Sequence, residues 1–389
     1  MRAASRRLLI ASAVAASVGV ATTVFVASQG PRLVQVAAAD DEAAIPGQYI
    51  VTLKRGASVP TTASQGRIAT LQRFDKVLNG FAAKLNSEQL NRLRRDPAVA
   101  AIEQDQIAKI STTQRSPLPW GLDRIDEGPL PLSKSYTYKA SGTGVNAYVI
   151  DTGIYPGHAD FGGRAKVAYD ALGGDGQDCN GHGTHVAGII GSKTYGVAKT
   201  VKLWGVRALD CDGTAPYSKI ITAVNWVQRN AEKPAVANMS LGGSKSTALN
   251  TAVTNLSKSG VFLAVAAGND NTKACNGSPA SAGWVEAVGA TISNDTRASF
   301  SNYGSCVDMQ APGSSIWSTY IGGPTAHQSM SGTSMASPYV AGVAALYKSA
   351  KGEASFPTIQ KWMSDNATKN RVKKLPTGTP NRLIYKSTL

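Results

Sequence analysis

Val145-Asn146-Ala147-Tyr148-Val149-Ile150-Asp151-Thr152-Gly153 is a short apolar run closed by a carboxylate and a turn glycine. Such a run reads as a strand buried on both faces. A second run, Val261-Phe262-Leu263-Ala264-Val265-Ala266-Ala267, opens in the same way into Gly268-Asn269. Between them lie further apolar stretches at Val201 to Val206 and Val236 to Leu241. Helical patterns cover His182 to Ser192, Ser218 to Asn230 and Ser246 to Lys258. Strands alternating with helices predict an α/β fold, a mostly parallel sheet with helices on both faces. Ligands gather at the carboxyl ends of such strands. Asp151, the Ser240 segment and Asn269 all stand there.

Upstream the character changes. Residues 44 to 112 predict a small α+β domain: strands at Gly47 to Leu53, after the Asn79-Gly80 turn, and at Val99 to Gln106, with helices at Thr62 to Leu78 and Ser87 to Arg95. About 70 residues with a modest core are marginal alone, so this unit is expected to lean on a partner. Ahead of it, Arg2, Arg6 and Arg7 precede an uncharged run from Leu8 to Gln29 and the small residues Ala37-Ala38-Ala39. That layout predicts an export signal over 1–39, in preference to a membrane anchor. The expected division is signal 1–39, auxiliary domain 40–112 and main domain 113–389, with the mature protein extracellular and free of the membrane.

Composition narrows the possibilities. Apolar residues make up 42% and charged ones 17%, enough to bury a core and too little charge for a disordered chain. The net charge of +15 is spread along the chain with no run of five basic residues, which argues against nucleic acid as a partner.

Three short segments carry chemistry. Asp151 ends an apolar strand, where a carboxylate must be hydrogen-bonded or functional. His182 sits in Gly181-His182-Gly183-Thr184-His185-Val186-Ala187-Gly188, at the start of a helix. His182 and His185 at i and i+3 could also hold a metal, but no Glu lies between them and the chain has only four histidines. Ser334 lies in Gly332-Thr333-Ser334-Met335-Ala336-Ser337-Pro338, ahead of another apolar helix, where free N–H groups favour a developing oxyanion. Ser331 and Ser337 are its neighbours and competitors. An acid at a strand end with a histidine and a serine at two helix starts is an acyl-transfer set.

Taken together, Asp151-Thr152-Gly153, the His182 segment and the Ser334 segment resemble the three signature segments of the subtilisin family of serine proteases. Trp120-Gly121-Leu122-Asp123-Arg124-Ile125-Asp126 and Ala298-Ser299-Phe300-Ser301-Asn302-Tyr303-Gly304, with the cysteine positions, are similar to its proteinase K branch and to aqualysin-like enzymes. The resemblance spans roughly residues 45 to 389. It implies a secreted, monomeric endopeptidase acting on proteins and peptides through Asp151, His182 and Ser334, with Asn269 as oxyanion donor. Ser240, Leu241 and Gly242 resemble one wall of the first substrate pocket, and Ala266, Ala267 and Gly268 the other. Both are small and uncharged, which favours aromatic and aliphatic side chains. Gly213 to Tyr217 resembles a second pairing strand, with Ala215-Pro216 departing from the family pattern. Residues 44 to 112 resemble the family's propeptide inhibitor, cut near Thr112-Thr113.

The resemblance also implies cysteine pairing and ions. Four cysteines in an exported chain allow three pairings, and the aqualysin-like pattern selects Cys179 with Cys211 and Cys275 with Cys306. Structural calcium is implied at Asp308 with the carbonyls of Gly283 and Val285. A second ion is implied at Asp123 with Asp126.

Overall fold

The computed structural model describes residues 33–38, 44–74, 79–106, 112–114 and 119–389. The run from Leu8 to Gln29, expected to be an export signal, and the chain from Ile107 to Ser111 lie outside the described residues. The chain divides into two compact units, one up to residue 109 and one from residue 110.

In the first unit, strand β1 (Ala44–Leu53) is central, with strand β2 (Thr70–Phe74), strand β3 (Gly80–Lys84) and strand β4 (Val99–Gln106) completing an antiparallel set in the order β4-β1-β3-β2. Two-residue strand Val36–Ala37 adds in parallel to the outer edge of β4. Helices α1 (Val59–Gly66) and α2 (Ser87–Leu93) accompany the sheet. Val51, Leu53, Phe81, Leu93, Val99 and Ile102 form the core. The expected helix from Thr62 to Leu78 is corrected. It ends at Gly66, because Arg67 takes a left-handed conformation at φ 51° and turns its N–H back to the carbonyls of Ala63 and Ser64. Thr70-Leu71-Gln72-Arg73-Phe74 then pairs with β3, filling an edge that a helix would have left open.

The second unit is built on a nine-stranded sheet. In chain order its main elements are strands β5 (Asn146–Asp151) and β6 (Ala165–Asp170), helix α3 (His182–Gly191), strand β7 (Lys202–Arg207), helix α4 (Tyr217–Asn230), strand β8 (Ala235–Met239), helix α5 (Thr247–Lys258), strands β9 (Phe262–Ala266), β10 (Glu286–Thr291) and β11 (Met309–Pro312), and helices α6 (Thr333–Lys351) and α7 (Phe356–Asn366). The parallel order is β6-β7-β5-β8-β9-β10-β11, extended past β11 by the short antiparallel pair Arg382–Leu383 and Thr368–Lys369. The chain leaves β5 toward one side for β6 and β7, then crosses to the other side for β8 onward. Asp151 is therefore at the topological switch point, where open α/β sheets form a crevice.

Alternation along β5 makes two cores. Ala147 and Val149 face the layer that contains α3 and α6, whereas Tyr148 and Ile150 face the layer that contains α4 and α5. Every residue of β5, β8, β9 and β10 is buried, as continuous apolar strands in a doubly covered sheet require. Disulfides join Cys179 to Cys211 and Cys275 to Cys306. Among the described residues no helix is long and apolar enough to cross a membrane.

Candidate active site

Asp151 is the last residue of β5 and is fully buried. Its Oδ1 accepts the Thr152 N–H at 2.8 Å and lies 2.7 Å from Nδ1 of His182. An ionised carboxylate only accepts, so this bond puts the ring proton on Nδ1 and leaves the Nε2 lone pair free. Burial opposes the imidazolium form, but the charge and hydrogen bond of Asp151, with Asp178 behind, outweigh it and hold His182 above the ordinary imidazole pKa. The side chain of His182 is 19% exposed, open enough to meet a substrate.

His182 opens α3, whose N-cap is Gly181 at φ 101°. A Cβ there would strike the Tyr320 ring at 2.4 Å, so only glycine lets the loop close over that ring. The Tyr320 hydroxyl donates to the Asn180 carbonyl at 2.9 Å. His185 serves other partners: its buried Nε2 lies 3.1 Å from the Ile316 carbonyl and 3.0 Å from that of Gln328. Burial pulls its pKa down to about 4. Among the described residues no group of three or more His, Cys, Asp or Glu is placed to hold a metal, and the two histidines of the Gly-His-Gly-Thr-His segment do not form a pair.

Ser334 is the second residue of α6, after N-cap Gly332. Pro338 stands four residues on and has no N–H, so the Ser334 carbonyl lacks its helical partner. Ser240 supplies one, its Oγ donating to that carbonyl at 2.7 Å. The Ser334 hydroxyl in turn donates to the Ser240 carbonyl at 3.2 Å. Among the described residues no hydrogen bond joins Ser334 to His182, although both line one cleft. Asn269 follows the end of β9. Its Oδ1 accepts both the Thr333 N–H at 2.8 Å and the Thr333 hydroxyl at 2.9 Å, and among the described residues its Nδ2 amide has no hydrogen-bond partner. A Cβ on Gly332 would sit 3.4 Å from that Nδ2 and 3.6 Å from the Ser334 nitrogen. Two N–H donors thus converge on space that a glycine keeps open.

The cleft has a volume of about 880 Å³. Ser240, Leu241 and Gly242 line it with Ala266, Ala267 and Gly268, and Gly213 and Tyr217 line its continuation. Tyr217 donates to the Ser244 carbonyl at 2.7 Å, tying the two edges together. Pro216 is the N-cap of α4. The carboxylates on the cleft, Asp212 and Asp270, are exposed at its rim.

Asp308 lines a separate cleft of about 400 Å³ with Gly283 and Val285. Its Oδ2 accepts the Ala287 N–H at 2.9 Å, and burial raises its pKa to about 6. Behind it, fully buried Glu286 has one carboxylate oxygen without a partner. Burial, then the charge of Asp308, drives Glu286 well up as well. Asp308, Gly283 and Val285 line one cleft and can offer it a carboxylate and backbone carbonyls, the oxygen donors a hard cation takes. The Asp123 and Asp126 pair differs. Asp123 accepts from Ser133 and Lys134 N–H groups, and Asp126 accepts the Thr137 N–H and pairs with the Lys386 ammonium at 2.8 Å. The Lys386 ammonium already balances the charge of Asp126, so this pair offers a cation less net negative charge than Asp308 and Glu286 do.

Sequence reasoning passed over Asp178, Thr333, Tyr320 and Glu286. The glycine before His182 was the one available signal: it shows that the helix start needs a cap from elsewhere, without showing that Asp178 supplies it.

The subtilase family model matches residues 142–382, and the peptidase inhibitor I9 model matches residues 48–111. The chain belongs to the subtilase family and is a serine proteinase with an I9-type propeptide domain. It is 49% identical over 369 residues to an extracellular serine proteinase of Thermus sp. (strain Rt41A), covering 88% of this chain and 90% of the relative. It is 44% identical to proteinase R of Parengyodontium album, covering 88% and 89%. A crystal structure of a cold-adapted subtilisin-like serine proteinase superposes with a TM-score of 0.68 at 50% identity, covering 70% of this chain and 99% of that one.

Proposed function

We propose that the protein is a secreted endopeptidase in which Ser334 is the nucleophile, His182 the general base and acid, and Asp151 the group that orients and charges the imidazole. The observation that carries this reading is the 2.7 Å Asp151–His182 bond beside a helix-start serine in one cleft. Rotation of the Ser334 hydroxyl from the Ser240 carbonyl to the free Nε2 of His182 makes the attacking pair. Such bonds commonly tighten only when substrate is present. Ser334 Oγ then attacks the peptide carbonyl and its proton passes to Nε2. The Asn269 amide and the Ser334 N–H receive the oxyanion beside Gly332. The leaving amine takes the proton from His182, and water repeats the sequence on the acyl-enzyme.

The extended peptide pairs with Ser240 to Gly243 and with Gly213 to Tyr217. Its side chain before the cut enters the pocket between Leu241-Gly242 and Ala266 to Gly268. Because the pocket has no buried carboxylate, aromatic and aliphatic residues are preferred over Lys and Arg. Asp308, with the Gly283 and Val285 carbonyls, would hold a calcium ion, whose charge would offset the buried Asp308–Glu286 pair away from the reacting atoms. We place no ion at Asp123 and Asp126.

Residues 40–112 act as propeptide, removed by self-cleavage at the Thr112-Thr113 region. Thr112–Gln114 pairs antiparallel with Tyr136–Tyr138 inside the second unit. That pairing supports a junction close to Thr112-Thr113, with the remainder of the strand kept in the mature enzyme. One variant tests both the triad and the maturation. Ser334→Ala should lose turnover and fluorophosphonate labelling and should accumulate as uncut precursor, and an added 40–112 fragment should inhibit the wild-type enzyme. Wild-type turnover in Ser334→Ala ends the triad assignment; normal processing ends self-cleavage.

A further inference from the structure

The first turn of a helix carries N–H groups with no intrahelical partner, and a glycine N-cap supplies no side chain to meet them. Helix α3 has that shortage at Gly181. Asp178, from the preceding loop, fills it. Its Oδ1 accepts the N–H groups of Asn180 at 3.0 Å and Gly181 at 2.8 Å, and the Thr152 hydroxyl at 2.8 Å. Its Oδ2 accepts the Thr184 N–H at 2.8 Å and the Thr184 hydroxyl at 2.6 Å. Both hydroxyls pass the connection on. Thr152 Oγ1 accepts the Gly183 N–H at 2.9 Å, and Thr184 Oγ1 accepts the Tyr155 N–H at 3.0 Å. One carboxylate therefore ties Thr152, the residue after Asp151, to the turn that begins with His182.

We infer that Asp178 is a positioning residue of the reaction, fixing the end of β5 against the start of α3 so that Asp151 and His182 meet at hydrogen-bond distance before substrate arrives. The inference rests on the triad reading above. Misplacement of a catalytic pair by about 1 Å can lower turnover about 10²-fold. Charge adds a second effect. The groups facing His182 are Asp151 from β5, Asp178 from the preceding loop and His185 from its own helix. Burial lowers the His182 pKa, while Asp151 and then Asp178 raise it. Removal of the Asp178 charge should therefore favour neutral imidazole at lower pH.

The test is Asp178→Asn in the full-length protein, matured in trans by wild-type enzyme if it does not process itself. An amide nitrogen in place of either oxygen faces at least two donors, so the clamp breaks without a change of volume. Active sites are counted by fluorophosphonate labelling of Ser334, so that kcat refers to folded enzyme. The expected result is a fall of about 10- to 10²-fold in kcat, KM within about twofold, and an acid limb of kcat/KM moved to lower pH. Thr152→Val removes one strut and keeps the charge. It should lower kcat less and leave the acid limb in place. Wild-type kcat with an unmoved limb in Asp178→Asn overturns the inference, and so does a lower Tm with both unmoved. If Asp178→Asn yields no folded protein, Thr152→Val decides, and wild-type kcat there overturns the inference. Activity surviving in Ser334→Ala would instead remove the triad reading beneath it.

Discussion

Asn269 and Thr333 allow the oxyanion site to be tested as a unit. Asn269→Ala removes one of the two converging donors, a loss worth roughly 10²- to 10³-fold in kcat, about 2.7–4 kcal/mol, when the donor acts only on the developing oxyanion. KM should barely change, because the ground-state carbonyl does not use that donor fully. Thr333→Val keeps the backbone bond to Asn269 Oδ1 but deletes the 2.9 Å hydroxyl bond. It also deprives the Gly268 N–H of its 3.0 Å acceptor. A net hydrogen bond is worth about 1 kcal/mol, so a loss of about 5-fold in kcat is expected. Because Thr333 acts through Asn269, the two losses should not add. In the Asn269→Ala background, Thr333→Val should cost under about 2-fold, a coupling of the size that double-mutant cycles resolve. The assay is hydrolysis of a chromogenic peptide amide with an aromatic residue before the cut, with sites titrated at Ser334. Additive losses, or an Asn269→Ala enzyme with wild-type kcat, would refute the geometry.

With His182 as the proposed general base, acid should inactivate the enzyme: the imidazole pKa is held above the usual 6.5, so kcat/KM should fall as pH drops through that raised value. A pH profile in which the acid limb lies below 6.5 contradicts the Asp151 and Asp178 contribution. Calcium at Asp308 should act on stability. At a calcium concentration 100 times Kd the gain is about 2.7 kcal/mol, and at roughly 2–4 °C per kcal/mol chelation should lower Tm by about 5–10 °C with little change in initial rate. Asp308→Asn should abolish the difference; calorimetry showing the same calcium dependence in that variant would move the ion elsewhere.

What the sequence made legible follows from burial. Strands β5 and β9 are covered on both faces, so they read as continuous apolar runs and mark their carboxyl ends with Asp151 and Asn269. Strands β6 and β11 were hidden. Lys166 breaks the first, and the second is only Met309-Gln310-Ala311-Pro312. The misread helix after Thr62 turned on one left-handed residue, Arg67, which periodicity does not register. Long-range partners were invisible for a different reason. Asp178 stands between Gln177 and Cys179 with no local pattern, and its role arises only when Thr152, 26 residues earlier, folds beside it. Glu286 likewise carries no mark in the sequence until Asp308 is brought against it by the pairing of β10 with β11.

A proteinase is exposed to every other copy of itself, and surface loops are where a chain is first nicked. The Cys179–Cys211 bond bears on that exposure. It closes a loop that includes α3 and β7, and beside it the Asn180 amide donates to the Cys211 carbonyl at 2.8 Å. A single cut anywhere between the two cysteines leaves both new ends fastened to one molecule. The His182 turn and the edge beginning at Gly213 stay joined across such a wound. Durability in a crowd of like enzymes is then a property of the cross-link, separate from whatever it adds to folding stability.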